Sequence, residues 1–437
     1  MRKPSVLVIF LTVFIDLIGF GIVLPLLPIY SRNLTSSGAC GQAIMTFFDK
    51  LGLPRESASG LIIGAIMASY SLMQFLFAPG WGRLSDRIGR RPVLLVSTAG
   101  AAFSYALFAL GSRLSGDPAL LLLLGSRLFA GICGANITVA QAYIADITPL
   151  QERSKRMGLI GMAFGLGFIF GPALGGIGIH LFGVQGPGWL AAGLCAANFL
   201  FAFAILPESW KPTSDHVTVR PRMAQWGHTL SHPQIGLLVT VFFLATFCFT
   251  CFETTLGLLV GQNFRLDVHS DQDAKIIGYL FAYCGVIGAV VQGGAIGRMV
   301  KKSGEAKVIA NSLIMVAIAM APLPFIHGSY ALAWLLLLAA LALLSIGSSL
   351  TRPPVFGLIS ILTPPHEQGA TIGVAQSAGS LARILGPIFA ATLLYVRPWL
   401  PYLICSGISL LTAVIVIQRL CRADQPLVAA NAPDLAK

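Results

Sequence analysis

The sequence predicts an all-α membrane protein of twelve transmembrane helices, arranged as two parallel six-helix repeats. Three observations carry this: the composition, a series of long apolar runs, and an internal repeat at a constant offset. The chain has 437 residues, of which 56% are hydrophobic and 11% charged. Ordinary soluble domains carry about 25% charged residues. A disordered chain would be poor in aromatics and rich in charge, and a secreted disulfide scaffold would be short and dense in cysteine. The net charge of +12 would suit a nucleic-acid binder only if the basic residues formed one face. They sit instead in short runs between apolar segments, which is how a membrane protein sets its topology.

Runs of about 18 or more mainly apolar residues mark membrane-crossing helices. They fall at roughly 5–31, 58–81, 92–112, 118–147, 156–184, 187–207, 234–263, 275–299, 306–326, 329–351, 368–396 and 399–419. The runs are continuous rather than alternating, which excludes a strand barrel. Arg2 and Lys3 precede the first run as they would in a signal peptide, but that run reaches Tyr30, includes Asp16, Pro25 and Pro28, and shows no small-residue cleavage site. With the N-terminus inside, the segments on the inner side hold 19 of the 29 Lys and Arg and the outer ones hold 7. This bias supports two cytoplasmic termini.

The repeat is visible at an offset of 215: Gly82-Arg83 aligns with Gly297-Arg298, Gly89 with Gly304, Thr148-Pro149 with Thr363-Pro364, Glu152 with Glu367, Gly158 with Gly373, and Gly171-Pro172 with Gly386-Pro387. No gap is needed across four helices. The expected organisation is a bundle over 1–207, a cytoplasmic linker over 208–232 punctuated by prolines, a second bundle over 233–420 and a cytoplasmic tail over 421–437. Parallel six-helix halves with a site at their interface are a secondary-transporter architecture.

Four groups of residues stand out. The loop after the second span runs Gly82-Arg83-Leu84-Ser85-Asp86-Arg87-Ile88-Gly89-Arg90-Arg91. Its glycines permit a tight turn and close helix approach, Asp86 can face a helix N-terminus in the other half, and its arginines can pair with Asp146 and Glu152. In the second copy Lys301 stands where Asp86 does, so the carboxylate's role is expected to be lost there. The fifth span carries Gly167, Gly171 and Gly175 four residues apart, with Pro172 and Gly176, a pattern for close helix contact with a proline that permits a bend.

Ionisable residues inside spans form the third group. Asp16 and Glu253 occupy the first and seventh spans, and Arg127 starts a polar stripe on the fourth. Such residues are costly in a bilayer and mark function by default. Desolvation favours the neutral acid, which suits a proton carrier; the competing reading is a structural pair of Asp16 with Arg127. The fourth group is the set of polar positions on otherwise apolar helices: Gln141, Thr250, Gln376, Ser380 and Arg383. These must face protein or water rather than lipid, and they are candidate cavity residues or interhelical glue. Phenylalanines around Glu253 are candidates for an apolar pocket.

The Gly82–Arg91 segment resembles the signature loop of the major facilitator superfamily. The Gly-x-x-x-Gly-Pro-x-x-Gly-Gly run from Gly167 to Gly176 resembles the motif of its antiporter branch, where it seals the half-interface and is associated with exchange. The Asp16–Pro28, Arg127–Gly134 and Ala142–Arg153 segments are similar to twelve-span drug:proton antiporters, nearest the tetracycline-resistance exporters. The resemblance implies the major facilitator fold and alternating access. It also implies proton coupling through Asp16, Glu253 and Arg127, with a latch at Gly82, Asp86, Arg87, Gly89, Arg90, Asp146 and Glu152. The expected cargo is an amphipathic organic compound, exported by a monomer in the cell inner (plasma) membrane. The exporters carry a histidine in the eighth span and an aspartate in the ninth; 275–299 has no histidine and 306–326 no acid, so the resemblance names the class and not the drug. The alternatives are a proton symporter importing a small nutrient or organic anion, for which Arg352 and Arg383 could bind the anion, and a non-transporting receptor or scaffold.

No nucleophile with a base, metal-ligand spacing or Walker-type loop is present in the sequence, so no enzyme activity, metal or cofactor is expected and a proton gradient is the expected driving force. Cys248 and Cys251 form a CxxC inside a span, without the further ligands a zinc site needs. Asn33-Leu34-Thr35 is a sequon on an outer loop.

Overall fold

The computed structural model describes residues 5–23, 38–50, 55–134, 136–210, 221–266, 271–328 and 330–421. The sequon at 33–35, residues 211–220 of the linker and the tail beyond 421 lie outside the described residues. All the regular structure described is helical: α1 Val6–Val23, α2 Ala39–Lys50, α3 Arg55–Ile88, α4 Arg90–Arg113, α5 Gly116–Cys133, α6 Asn136–Ile147, α7 Arg153–Phe182, α8 Gly186–Ile205, α9 Arg222–Ser231, α10 Pro233–Phe264, α11 Asp271–Val290, α12 Ile296–Ser303, α13 Glu305–Met320, α14 Ala331–Leu362, α15 Gln368–Val396 and α16 Leu400–Val416. Among the described residues, 11 helical stretches are long and apolar enough to cross a membrane. The remaining expected span, 58–81, lies within the 34-residue α3.

Several boundaries move, each for a visible reason. The fourth span is interrupted after α5 at Gly134. The eighth is continued by a π turn over Val291–Ala295 between α11 and α12. The tenth reaches Leu362, with Pro353 and Pro354 inside the helix. A proline removes the hydrogen bond to the carbonyl four residues before it; the Ser349 carbonyl freed in this way accepts Gln292 Nε2 at 3.1 Å. Part of the linker is also helical, as α9.

The chain forms two compact units. The first comprises residues 1–147, 163–222 and 365–380, and the second 148–162, 223–364 and 381–437. The two long helices α7 and α15 are thus divided, each giving its first turns to the unit made mainly from the opposite half of the sequence. In lipid, helices associate through packing and hydrogen bonds rather than by escaping water, and both units follow this. The first packs Ile22, Ile66, Phe108, Leu123 and Cys195 into one core and ties α8 to α1 through Asn198 Nδ2 donating to the Thr12 carbonyl at 2.8 Å. The second packs Phe252, Leu256, Leu341, Tyr402 and Cys405. Cys248 and Cys251 belong to that core, their thiols donating to the Cys405 and Gly386 carbonyls at 3.6 and 3.4 Å.

Candidate functional site

In the first unit the α3–α4 turn is built on Gly89, whose φ of 100° lies where L-residues rarely go. The turn aims Asp86 at the start of α15. Asp86 Oδ1 accepts the Gly369 N–H at 2.9 Å and Oδ2 accepts the Ala370 N–H at 2.8 Å, so a carboxylate meets the positive end of a helix dipole. Arg90 Nη1 donates to Asp86 at 2.5 Å and to Ser85 Oγ at 2.7 Å, while its Nε donates to Asp146 at 3.0 Å. Burial raises the Asp86 carboxyl above the usual range, and Arg90 with the two N–H donors opposes that rise. Gly82 and Gly369 face each other so closely that a methyl on either would strike the other's carbonyl.

Three of the expected latch residues, Asp86, Arg90 and Asp146, therefore meet in one cluster. Arg87 is exposed. Glu152 lies in the second unit and pairs with Arg156 at 3.1 Å rather than with the loop arginines. A carboxylate that sequence reasoning missed completes the cluster. Glu208 accepts the N–H groups of Arg90 and Arg91 at 2.9 and 3.0 Å, capping α4 where Gly89 has no side chain to do so. Ser209 Oγ adds a bond to Asp146 at 3.0 Å. The signal available in the sequence was a carboxylate immediately after an apolar span, opposite a basic loop.

Gly167 and Gly171 of α7 pack on α1. A methyl at Gly167 would meet the Leu17 carbonyl at 2.9 Å, and one at Gly171 would strike Gly21. Gly175 is buried, while Pro172 and Gly176 are exposed, and among the described residues a methyl at Gly176 would meet nothing within 4 Å. The glycine pattern thus serves a backbone-to-backbone crossing within the first unit.

The charges inside the spans are less well partnered. Asp16 is half-buried, with Cys195 Sγ donating to it at 3.9 Å and Asn136 beside it. Arg127 is 4% exposed; among the described residues its Nε and Nη2 have no hydrogen-bond partner, and its guanidinium lies over Tyr105 and Phe108 at 5.4 and 4.8 Å. Among the described residues no ion pair joins Asp16 to Arg127, so the structural-pair reading fails. In the second unit Glu253 interacts electrostatically with both Arg352 and Arg383.

Of the polar stripe residues, Gln376 Nε2 donates to Gln141 Oε1 and Ser380 Oγ to Gln74 Oε1, both at 2.9 Å, all four within the first unit. Thr250 is buried in the second and donates to carbonyls of its own helix, Thr246 and Phe247, at 3.0 Å.

A Major Facilitator Superfamily description matches residues 9–387 and 294–433. The chain belongs to the Major Facilitator Superfamily. Members of that family are transporters, so this is a multi-pass membrane transporter and not an enzyme. It is 33% identical over 422 residues to the class E tetracycline resistance protein of Escherichia coli, covering 95% of this chain and 94% of that one. It is 28% identical over 439 residues to major facilitator superfamily domain-containing protein 10 of Mus musculus, covering 94% and 91%. The crystal structure of the human organic anion transporter MFSD10 superposes with a TM-score of 0.79 at 27% identity, covering 95% of this chain and all of that one. The twelve-helix major facilitator fold read from the sequence holds.

Proposed function

We propose that the chain is a proton-coupled secondary transporter that exports amphipathic organic compounds by alternating access. It works as a monomer in the plasma membrane with both termini cytoplasmic, and needs no cofactor beyond the proton gradient. The observation that supports this best is the arrangement in the first unit: among the described residues, Asp16 is a half-buried carboxyl with no ion-pair partner, and Arg127 lies over the Tyr105 ring with two buried nitrogens that have no hydrogen bond. A carboxyl held in a salt bridge would stay charged through the cycle, whereas one without a cation against it can take up and release a proton. The membrane potential contributes about 2.3 kcal/mol per charge per 100 mV.

The similarity to tetracycline resistance proteins supports export and drug-sized cargo. The test is proton-driven uptake into inverted vesicles. Asp16→Asn abolishes gradient-driven uptake while leaving energy-independent counterflow; persistence of driven uptake in that variant would overturn the coupling role. A second reading, import of an organic anion by symport, is favoured by Arg352 and Arg383 in the second unit and by the similarity to an organic anion transporter. Accumulation in whole cells rather than depletion separates the two.

A further inference from the structure

We propose that the turn from α12 into α13 binds the headgroup of an anionic phospholipid through Arg298, Lys301, Lys302 and Lys307, with Lys155 of α7 as a fifth cation. All five residues lie in the second unit, and the site depends neither on the cargo nor on the direction of transport.

The turn joins two helical stretches that are each long and apolar enough to cross a membrane, Lys275–Ser303 and Glu305–Phe325, so it stands at a membrane surface. α12 buries Ile296 and Val300 in a small core with Val308 and Leu350. Its outer face then carries Arg298, Lys301 and Lys302, all exposed and close enough in helical spacing for like charges to repel. Lys155 is exposed as well. Its stem crosses α12 at Gly297, where a methyl would meet Cδ at 2.8 Å and Cγ at 2.9 Å. Lys307 is exposed in the first turn of α13.

Helix dipoles account for only part of this patch. Lys301 and Lys302 occupy the last turn of α12, where a cation is favoured, but Lys307 sits at the positive end of α13, where one is disfavoured. Among the described residues none of the five cations forms an ion pair or donates a side-chain hydrogen bond. The acids closest in sequence have other tasks: Glu152 pairs with Arg156, and Glu305 accepts from Ser154 Oγ. In the first copy of the repeat the protein supplies the anions. There Arg90 reaches Asp86 and Asp146, and Arg91 donates to the Phe203 carbonyl at 2.7 Å. In the second copy Lys301 replaces the acid and Glu305 replaces Arg90, and the remaining cations point outward. An anion from outside the chain is then the missing partner. A phospholipid presents a phosphate at this depth, and exposed Val286 and Val290 of α11 offer its acyl chains an apolar wall. Clusters of about four to eight cations at the end of a membrane helix suit such headgroups.

The test uses the full chain in detergent micelles, titrated with phosphatidylglycerol or phosphatidylcholine of the same acyl chains and read by native mass spectrometry. A lysine or arginine near an anionic headgroup is worth about fivefold in affinity, so phosphatidylglycerol is expected to bind at least about tenfold tighter than phosphatidylcholine. Lys301→Gln with Lys302→Gln lowers that preference by about tenfold or more, whereas Lys301→Arg with Lys302→Arg keeps it. Arg113→Gln with Arg397→Gln removes the same charge at exposed positions elsewhere and also keeps it. No preference in the unmodified chain, a preference that survives Lys301→Gln with Lys302→Gln, or an equal loss in the Arg113 and Arg397 pair would each overturn the proposal. Displacement of the lipid by millimolar inorganic phosphate would overturn it too, by showing a site for soluble anions. Thermal unfolding in phosphatidylcholine nanodiscs checks that the glutamine variants are folded; if the lysine pair is not, Arg298→Gln takes its place under the same criteria.

Discussion

In the first unit, residues 82–91 bury Asp86 against the start of α15 and lock it to Arg90, whereas in the second the residues at the same offset, 297–306, place an exposed Lys301 where Asp86 stands and Glu305 where Arg90 stands. The backbone is nearly the same in both copies: Gly89 has φ 100° and ψ 163°, Gly304 has φ 75° and ψ 158°. What differs is the charge. Asp86 binds two backbone N–H groups and a buried arginine, while Glu305, among the described residues, accepts one bond, from Ser154 Oγ at 3.1 Å. The glycine turn is therefore a requirement of the repeated fold, and the acid–base pair is a property of one copy. The second copy was expected to have lost the role of the Asp86 carboxylate; Lys301 stands in its place, and a carboxylate is present four positions on, at Glu305, with a smaller task.

The largest effect that breaks this comparison is at Asp86. Asp86→Ala strands two helix N–H groups and leaves Arg90, which is 0% exposed, with only Asp146 as a charged partner. Removing one member of a buried pair costs about 3–5 kcal/mol, so the purified chain is expected to show a clearly lowered thermal unfolding midpoint and no driven uptake. Lys301→Ala, at the equivalent exposed position, is expected to stay within about 0.5 kcal/mol. Equal effects of the two would mean that the two loops are used alike.

A second, smaller contrast tests the glycines. A methyl at Gly82 strikes the Gly369 carbonyl, whereas at Gly297 it meets Lys155 Cδ and Cγ at 2.8 and 2.9 Å, part of a flexible side chain that can move aside. Gly82→Ala is expected to cost about 1–3 kcal/mol as overpacking of backbone on backbone. Gly297→Ala is expected to be neutral or slightly stabilising, because alanine is the better helix former by about 0.8–1 kcal/mol. The check is the same melting experiment on both variants; a costly Gly297→Ala would show that the second crossing is as tight as the first.

The contrast also shows what the sequence could and could not convey. The helices, their repeat and the Asp86 loop were legible because apolar run length and glycine spacing are local signals. The helix of Arg352 was expected only over 329–351, but Gln292 takes up the Ser349 carbonyl freed by Pro353 and α14 continues to Leu362. That rescue comes from a residue about 60 positions away, which no local pattern reveals. Glu208 was missed for the same reason, since its donors on Arg90 and Arg91 are remote in sequence. The glycines of α7 were legible as a close-contact motif, but not that Gly21 of α1 was the partner. For Asp16 and Arg127 the sequence allowed a pair or two separate groups, and only the geometry, with the guanidinium turned onto Tyr105 and Phe108, separates them.

The smallest expected effect lies in the second loop. Ser154 is fully buried and stands, by the offset of 215, where Gly369 stands in the first unit. Its hydroxyl donates to Glu305, so a side chain meets an acid here where backbone N–H groups meet one there. Glu305→Leu leaves that hydroxyl without its acceptor, at a cost of about 1 kcal/mol, and Ser154→Ala alone costs a similar amount by leaving a half-buried carboxylate without its donor. Because the two residues share one bond, the double variant is expected to be less destabilised than the sum of the singles, with a coupling of about 0.5–1.5 kcal/mol. A coupling near zero would mean that Glu305 acts only through the N-terminus of α13, where it occupies the first turn, and that the second loop carries no side-chain link to α7 at all.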